Sequence, residues 1–222
     1  MSKPLRFGDV LSRWTSVGCS ASMPHTKRMD IERTKQVGLY FASRVRDLYV
    51  VKFLKLLYYA DFISVREVGQ PITGDTYFHL PYGPVPSYIK DNIGALNAAL
   101  KQSEANILED IADPINSIFD GCLQLIPKGA GQVISAAAGV VADETKLSRY
   151  EKGLLDDIIS HLGSMTTRQL VDQTHLEPPY TQTNPSMTIP YELAFQLDVK
   201  SILPSRTGAY DKEVAFSRFI TS

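Results

Sequence analysis

Several features typical of secreted and membrane-bound proteins are scarce or missing from the sequence. Only two cysteines, Cys19 and Cys122, occur among 222 residues, which is too few for a disulfide framework and favours free thiols in a reducing compartment. No stretch approaches the ~18 uncharged apolar residues that span a bilayer, and no apolar run typical of a signal peptide follows the N-terminus. We therefore expect a cytoplasmic protein with no membrane partner.

An excess of charge of one sign is also missing. The 23 Lys and Arg residues nearly balance the 24 Asp and Glu residues, which leaves a net charge of −1. This balance argues against a strong overall field for nucleic acid, which is therefore an unexpected partner. The exception lies at the start of the chain, where residues 1–36 hold seven basic and three acidic residues. We interpret residues 1–30 as a basic N-terminal extension, which leaves a nucleic-acid-binding regulator open as an alternative function.

Apolar periodicity predicts a long helix near the start of the main domain. Apolar residues recur at steps of three and four from Asp30, a predicted N-cap, to Ala60. From Leu48 onward the pattern is apolar almost all the way round, which is typical of a helix at the centre of a domain. Only Lys52 and Lys55 interrupt it, and we expect both to emerge together to solvent. The fold class is thus predicted to be mainly α, a compact helical domain around this central helix.

Other local patterns predict the remaining elements. Residues 123–126 and 132–134 are typical of a small β-hairpin, and a further helix is predicted near residues 104–119. Ser148 and Glu151 form a capping box at the start of a helix, for which Gly163 is the predicted C-cap.

The predicted organisation has three parts. Residues 31–180 form the main domain, which follows the basic extension at residues 1–30. Residues 181–222 are rich in Ser, Thr and Pro at their start, and we interpret them as an irregular C-terminal extension wrapped on the surface.

The motifs of common enzyme classes are absent. There is no glycine-rich phosphate loop, no Gly-x-Ser-x-Gly elbow and no His-Glu-x-x-His pair. The histidines and cysteines show no metal-ligand spacing, so neither a metal nor a cofactor is expected. Asp61 and Glu67 could form an acid/base pair, but a helix-end carboxylate and a loop carboxylate in water explain them as well. Lys52 and Lys55 could bind an anion or simply extend to solvent. We do not expect an enzyme.

Three motifs, in order along the chain, resemble the Panacea domain of SocA-like antitoxins. Residues 52–61 read KFLKLLYYAD, which is similar to the LxKLLYYA helix of that family, and residues 82–86 read YGPVP, which matches another of its segments. Residues 147–175 are similar to its closing region. Two departures are the sequence Pro-Pro-Tyr at residues 178–180, where many members have Pro-Trp, and His79, where a small residue is common.

The resemblance implies a mostly helical antitoxin of a bacterial or phage toxin–antitoxin pair. Members of this family bind a protein toxin directly, and one branch hands its toxin to a protease as an adaptor. The expected partner is therefore a cognate toxin, with a second copy of the chain or a protease as further candidates.

The candidate toxin-binding residues lie on the central helix, in the Pro-Gly segment and at the end of the closing region. They are Lys52, Lys55, Tyr59, Asp61, His79, Tyr82, Gly83, Pro84, Val85 and His175. In this hypothesis the lysines and the Pro-Gly segment form a rigid platform on which tyrosines act as anchors. The alternative is that Tyr58, Tyr59 and Tyr82 are core residues with internal partners for their hydroxyls. The terminal extensions are a second candidate contact.

Overall fold

The computed structural model describes residues 29–94, 119, 121–129, 131–206 and 210–221. The N-terminal extension up to residue 28 lies outside this part of the chain, as does nearly all of the helix predicted near residues 104–119. Those two predictions stay untested, as do the domain boundaries at residues 30 and 180.

The described chain is mainly α-helical, with two small antiparallel sheets, which confirms the predicted fold class. The helices are α1 (Ile31–Arg44), α2 (Val50–Val68), α3 (residues 87–94), α4 (Arg149–Leu162), α5 (Thr167–Thr174), α6 (Pro178–Thr181), α7 (Val199–Ile202) and α8 (Lys212–Thr221), with 3-10 turns at Glu144–Lys146 and Tyr191–Gln196. The strands are β1 (Tyr77–Leu80), β2 (Gly83–Pro86), β3 (Leu123–Lys128), β4 (Gly131–Ala136) and β5 (Thr188–Ile189).

The strands form one sheet of three and one of two. In the first, β1 lies between β2 and β5, so that Tyr77 is opposite both Pro86 and Ile189. In the second, β3 and β4 pair from Leu123 opposite Ala136 to Lys128 opposite Gly131. This second sheet confirms the predicted hairpin.

The single helix predicted from Asp30 to Ala60 is wrong, because the chain breaks between α1 and α2. Asp30 does cap α1, accepting a hydrogen bond from the Arg33 N–H at 3.0 Å. The break follows residue 44, and Asp47 within it has a positive φ of 51°. There the Leu48 carbonyl accepts a hydrogen bond from the Ile134 N–H at 2.8 Å. The hairpin β3–β4 thus takes a backbone group that a continuous helix would use, a long-range effect that periodicity does not reveal.

Helix α2 is the centre of the core, as predicted. Its apolar residues contact elements on every side, including α4, α5, α8 and β2. Phe53, Leu56, Leu57 and Phe62 have no exposed surface. Burial of side chains of this size contributes roughly 1.5–3 kcal/mol each, so α2 is the main source of core stability.

The interpretation of residues 181–222 as a surface extension is wrong for the part that the structure describes. Phe195 and Phe216 are buried in the same core as α2. Arg206 donates from Nε to both carboxylate oxygens of Glu67 in α2, each at 2.8 Å. A Cβ on Gly69 would lie 2.3 Å from the Ala215 carbonyl oxygen, which shows how closely α8 packs on the end of α2.

The predicted limits of α4 are confirmed. Ser148 and Glu151 form the capping box, and Gly163 is the C-cap in a right-handed conformation.

None of the helices in the described ranges combines the length and the apolar character that crossing a bilayer requires.

Candidate functional site

The two lysines of α2 are buried rather than exposed. Lys55 has no exposed surface and Lys52 is 4% exposed, so the expectation that both emerge to solvent is wrong. The Lys55 Nζ donates to the Pro84 carbonyl at 2.6 Å, whereas the Lys52 Nζ donates to the Gly163 carbonyl. Because other elements surround α2 and offer backbone acceptors, the two lysines face different segments and form no shared surface.

Lys55 belongs to a buried polar cluster completed by Glu177. The two carboxylate oxygens of Glu177 accept hydrogen bonds from the Tyr58 and Tyr59 hydroxyls, both at 2.8 Å. Burial raises the pKa of Glu177 to about 7, against the opposing effect of these bonds and of Lys55. Burial likewise lowers the pKa of Lys55 to about 7, which Glu177 partly offsets. Tyr58 and Tyr59 are therefore core residues with internal partners.

The Pro-Gly segment is fixed above this cluster. Gly83 has a φ of +90°, a conformation that side chains disfavour. A Cβ there would lie 2.7 Å from the Thr174 Oγ1 and 2.9 Å from the Lys55 Nζ. Only glycine therefore allows β2 to approach α2 and α5 so closely. Val85 is also buried, opposite Phe78 of β1.

A stack of three rings joins the hairpin β1–β2 to the end of α5. The Tyr180 ring lies between His79 and His175, with ring centroids 3.7 Å and 4.4 Å apart. The Tyr180 hydroxyl donates to the Leu80 carbonyl at 3.1 Å. Burial, with a contribution from Lys55, lowers the pKa of His175. The structure thus brings the predicted residues His79 and His175 together around a third ring.

An apolar surface lies around this stack. We define the hairpin face as Tyr82, His175, Leu176, Tyr180 and Met187. Tyr82, Leu176 and Met187 are 68%, 81% and 58% exposed. Tyr82 lies in the turn between β1 and β2, Leu176 follows His175, and the Met187 carbonyl accepts a hydrogen bond from the His79 N–H at 2.9 Å. Large exposed apolar side chains are thus grouped at one end of the three-stranded sheet.

The segments that form most of this face carry no charged residue. Residues 76–89 and residues 178–191 contain no Asp, Glu, Lys or Arg, although such residues make up 21% of the chain. The sequence interpretation missed Glu177, Leu176 and Met187, and these two uncharged segments are the signal that could have indicated the surface.

Asp61 lies outside this region and holds a loop in place. It is fully buried within α2, so its interpretation as a helix-end carboxylate in water is wrong. It accepts hydrogen bonds from the Ile72 N–H at 2.8 Å, from the Thr73 N–H at 2.7 Å and from the Thr73 hydroxyl. The Tyr77 and Tyr191 hydroxyls also donate to it. Burial raises the pKa of Asp61 to about 6.

Glu67, the other half of the imagined acid/base pair, is in α2 as well. It is buried and accepts hydrogen bonds from Arg206 and from the Tyr150 hydroxyl at 2.9 Å. Both carboxylates are thus engaged in contacts that hold the fold together. Within the described ranges, no three His, Cys, Asp or Glu side chains are grouped as a metal site would require.

Comparison with known proteins identifies one family. The sequence model described as antitoxin SocA-like, Panacea domain, matches residues 53–180. This span is more than half of the chain and includes nearly all of α2, both strands of the hairpin β1–β2 and the ring stack. No curated protein and no solved structure matches the chain.

Proposed function

Because the chain belongs to the SocA-like antitoxin family with a Panacea domain, we propose that it neutralises a cognate protein toxin by binding it directly through the hairpin face. In this proposal the exposed and half-buried residues of the hairpin face contact the toxin directly. Lys55, Tyr59, Gly83, Pro84 and Val85 are buried and support this face from below. In this proposal the chain transforms no substrate of its own.

The observation that carries the proposal is the combination of exposed apolar side chains with two uncharged segments. The cores of protein–protein interfaces are depleted of charge and enriched in Tyr and Met, whereas nucleic-acid interfaces are strongly basic. Tyr82 and Leu176 are therefore suited to act as anchors that enter pockets of a toxin. A protein partner fits this surface better than a nucleic acid does.

The support beneath the face favours tight binding. Prolines at positions 81, 84 and 86 restrict the backbone, and the hydrogen bond from Lys55 to the Pro84 carbonyl holds β2 against α2. The ring stack joins His79 to the end of α5. A surface that is already ordered loses less conformational entropy on binding, so more of its contact energy remains as affinity.

The test is rescue of growth in cells that co-express the chain with the protein encoded by the neighbouring reading frame. We expect the wild-type chain to restore growth and the Leu176→Glu variant to lose rescue, because it places a charge in the uncharged face. Val141→Glu is the matched control, since Val141 is an aliphatic residue with 76% exposure in a different part of the chain. It should rescue like the wild type.

A pull-down of the toxin, together with its cellular level, distinguishes the outcomes. Direct neutralisation predicts a stable complex and an unchanged toxin level, whereas delivery to a protease predicts a level that rises when this chain is removed. Equal rescue by Leu176→Glu and Val141→Glu would show that the hairpin face is not the contact. A neighbouring protein that is harmless when expressed alone would contradict the antitoxin function itself.

A further inference from the structure

A cleft of about 590 Å³ lies at the start of α2, apart from the hairpin face. Its walls come from the segment between α1 and α2 and from the connection between α4 and α5. The residues that matter here are Arg46, Asp47, Tyr49, Lys52, Met165 and Arg168. This volume is in the range of about 300–1,000 Å³ that is typical of sites for small organic ligands.

Positive charge dominates the lining of the cleft. The lining contains three cationic side chains, Arg46, Lys52 and Arg168, and one carboxylate, Asp47. Asp47 already forms an ion pair with Lys128. Arg168 lies 3.7 Å from Asp172, but the two side chains are 91% and 67% exposed, so solvent weakens this ion pair. In the described part of the chain Arg46 makes no ion pair. The lining residues therefore carry an excess of two positive charges.

Lys52 places one of these charges in a buried position. An ammonium has three N–H donors, and the Gly163 carbonyl is the one protein acceptor of Lys52 in the ranges that the structure describes. Burial lowers the pKa of Lys52, whereas a bound anion would stabilise its charged form. A buried cation with remaining donors, beside two arginines, is an arrangement suited to an anion.

We propose that this cleft binds a phosphate monoester of a small organic molecule. Such a group carries about −1.5 to −2 charges at neutral pH, which matches the excess in the lining, and arginine forks bind phosphate oxygens in pairs. The cleft is larger than a bare phosphate requires, and the Tyr49 ring and the Met165 side chain provide an apolar surface for the organic part. This ligand site is independent of toxin binding.

The test is calorimetric titration of the full chain with AMP and with ribose 5-phosphate. We expect saturable binding of at least one, and no binding of the uncharged counterparts adenosine and ribose. Arg46→Gln and Arg168→Gln should each weaken the binding about tenfold or more, because each removes a hydrogen-bonded charge. Both arginines are exposed, so the variants should fold. Arg149→Gln, an exposed arginine of α4 outside the lining, is the matched control and should bind like the wild type.

Four results would overturn the proposal, three with the esters and variants and one with inorganic phosphate. The first is the absence of saturable binding for both phosphate esters, and the second is binding of adenosine as tight as that of AMP. The third is an unchanged affinity in both arginine variants. Inorganic phosphate that binds as tightly as both esters would likewise contradict a site built for an organic ligand. Because Arg168→Gln leaves the hairpin face intact, it should still rescue growth from the toxin, so failure of this proposal can be told apart from failure of the antitoxin function.

Discussion

Lys52 and Lys55 lie one turn apart on the same helix and are both buried, yet their surroundings are opposite. Lys55 is sealed beneath the hairpin β1–β2, beside the buried carboxyl of Glu177 and under a surface whose main segments lack charge. Lys52 lines an open cleft with two arginines and is held by a single carbonyl. The elements packed around a helix, rather than the spacing of its own residues, therefore decide what each lysine contacts.

The difference extends to the two surfaces. The hairpin face presents Tyr82, Leu176 and Met187 without charge, which suits a protein partner. The cleft presents cations and suits an anionic ligand. Helix α5 begins at the cleft with Thr167, and its C-cap residue, His175, belongs to the hairpin face, so this short helix connects the two surfaces.

The largest expected effect is a difference in unfolding free energy between variants of the two lysines. Lys55→Met keeps the aliphatic stem but leaves the Pro84 carbonyl buried without its charged donor and removes the favourable effect of Lys55 on Glu177, so the free energy of unfolding should fall by about 3 kcal/mol. Lys52→Met is the matched variant. It removes one hydrogen bond to a carbonyl and should cost about 1–2 kcal/mol. Urea denaturation of both variants measures the difference, and equal losses would contradict the assignment of Lys55 to a coupled buried cluster.

A smaller effect is expected at Gly83, which allows the hairpin to approach Lys55. Gly83→Ala combines a positive φ with a close contact to Thr174, so we expect a loss of about 2–3 kcal/mol in unfolding free energy. Gly139→Ala is the matched control, because Gly139 also has a positive φ, of 77°, but has nothing within 4 Å of its Cβ position. It should cost about 1 kcal/mol. Similar losses at the two glycines in thermal unfolding would show that close packing at the hairpin contributes nothing.

The smallest effect concerns pH. Burial raises the pKa of Glu177 to about 7, so the folded chain holds this proton at a pH where the unfolded chain has released it. The resulting stability is complete below the ordinary glutamate pKa and is lost as pH rises through about 7. The unfolding free energy of the wild type, minus that of Glu177→Gln, should therefore fall by about 1–2 kcal/mol between pH 5 and pH 7.5. A difference that does not change with pH would contradict the burial of this carboxyl.

Much of the fold could be predicted from sequence because the relevant signals are local. The Asp30 cap, the Ser148–Glu151 capping box and the hairpin β3–β4 depend on residues close together in the chain, and all three are confirmed. The central position of α2 follows from its nearly uniform apolarity. These features need no knowledge of distant contacts.

The candidate site was only partly predictable. Four of the predicted residues do lie together at the hairpin β1–β2, namely His79, Gly83, Pro84 and His175. Lys52 and Asp61 lie elsewhere, and Glu177 was missed. Nothing in the local pattern pairs Glu177 with Tyr58 and Tyr59, which precede it by more than a hundred residues. The partners of a buried polar group are set by which segments meet in space.

Local sequence signals are sufficient to specify a mostly helical chain with an apolar central helix, and three motifs resemble those of one antitoxin family. Only the packing of distant segments explains the break after Arg44, the burial of both lysines and the burial of Phe195 and Phe216 in the same core as α2. Apolar periodicity indicates which face of a helix or strand is buried, but it does not indicate what covers that face. The identity of the covering segment, and the acceptors that it offers to Lys52 or Lys55, emerge only when distant parts of the chain pack together.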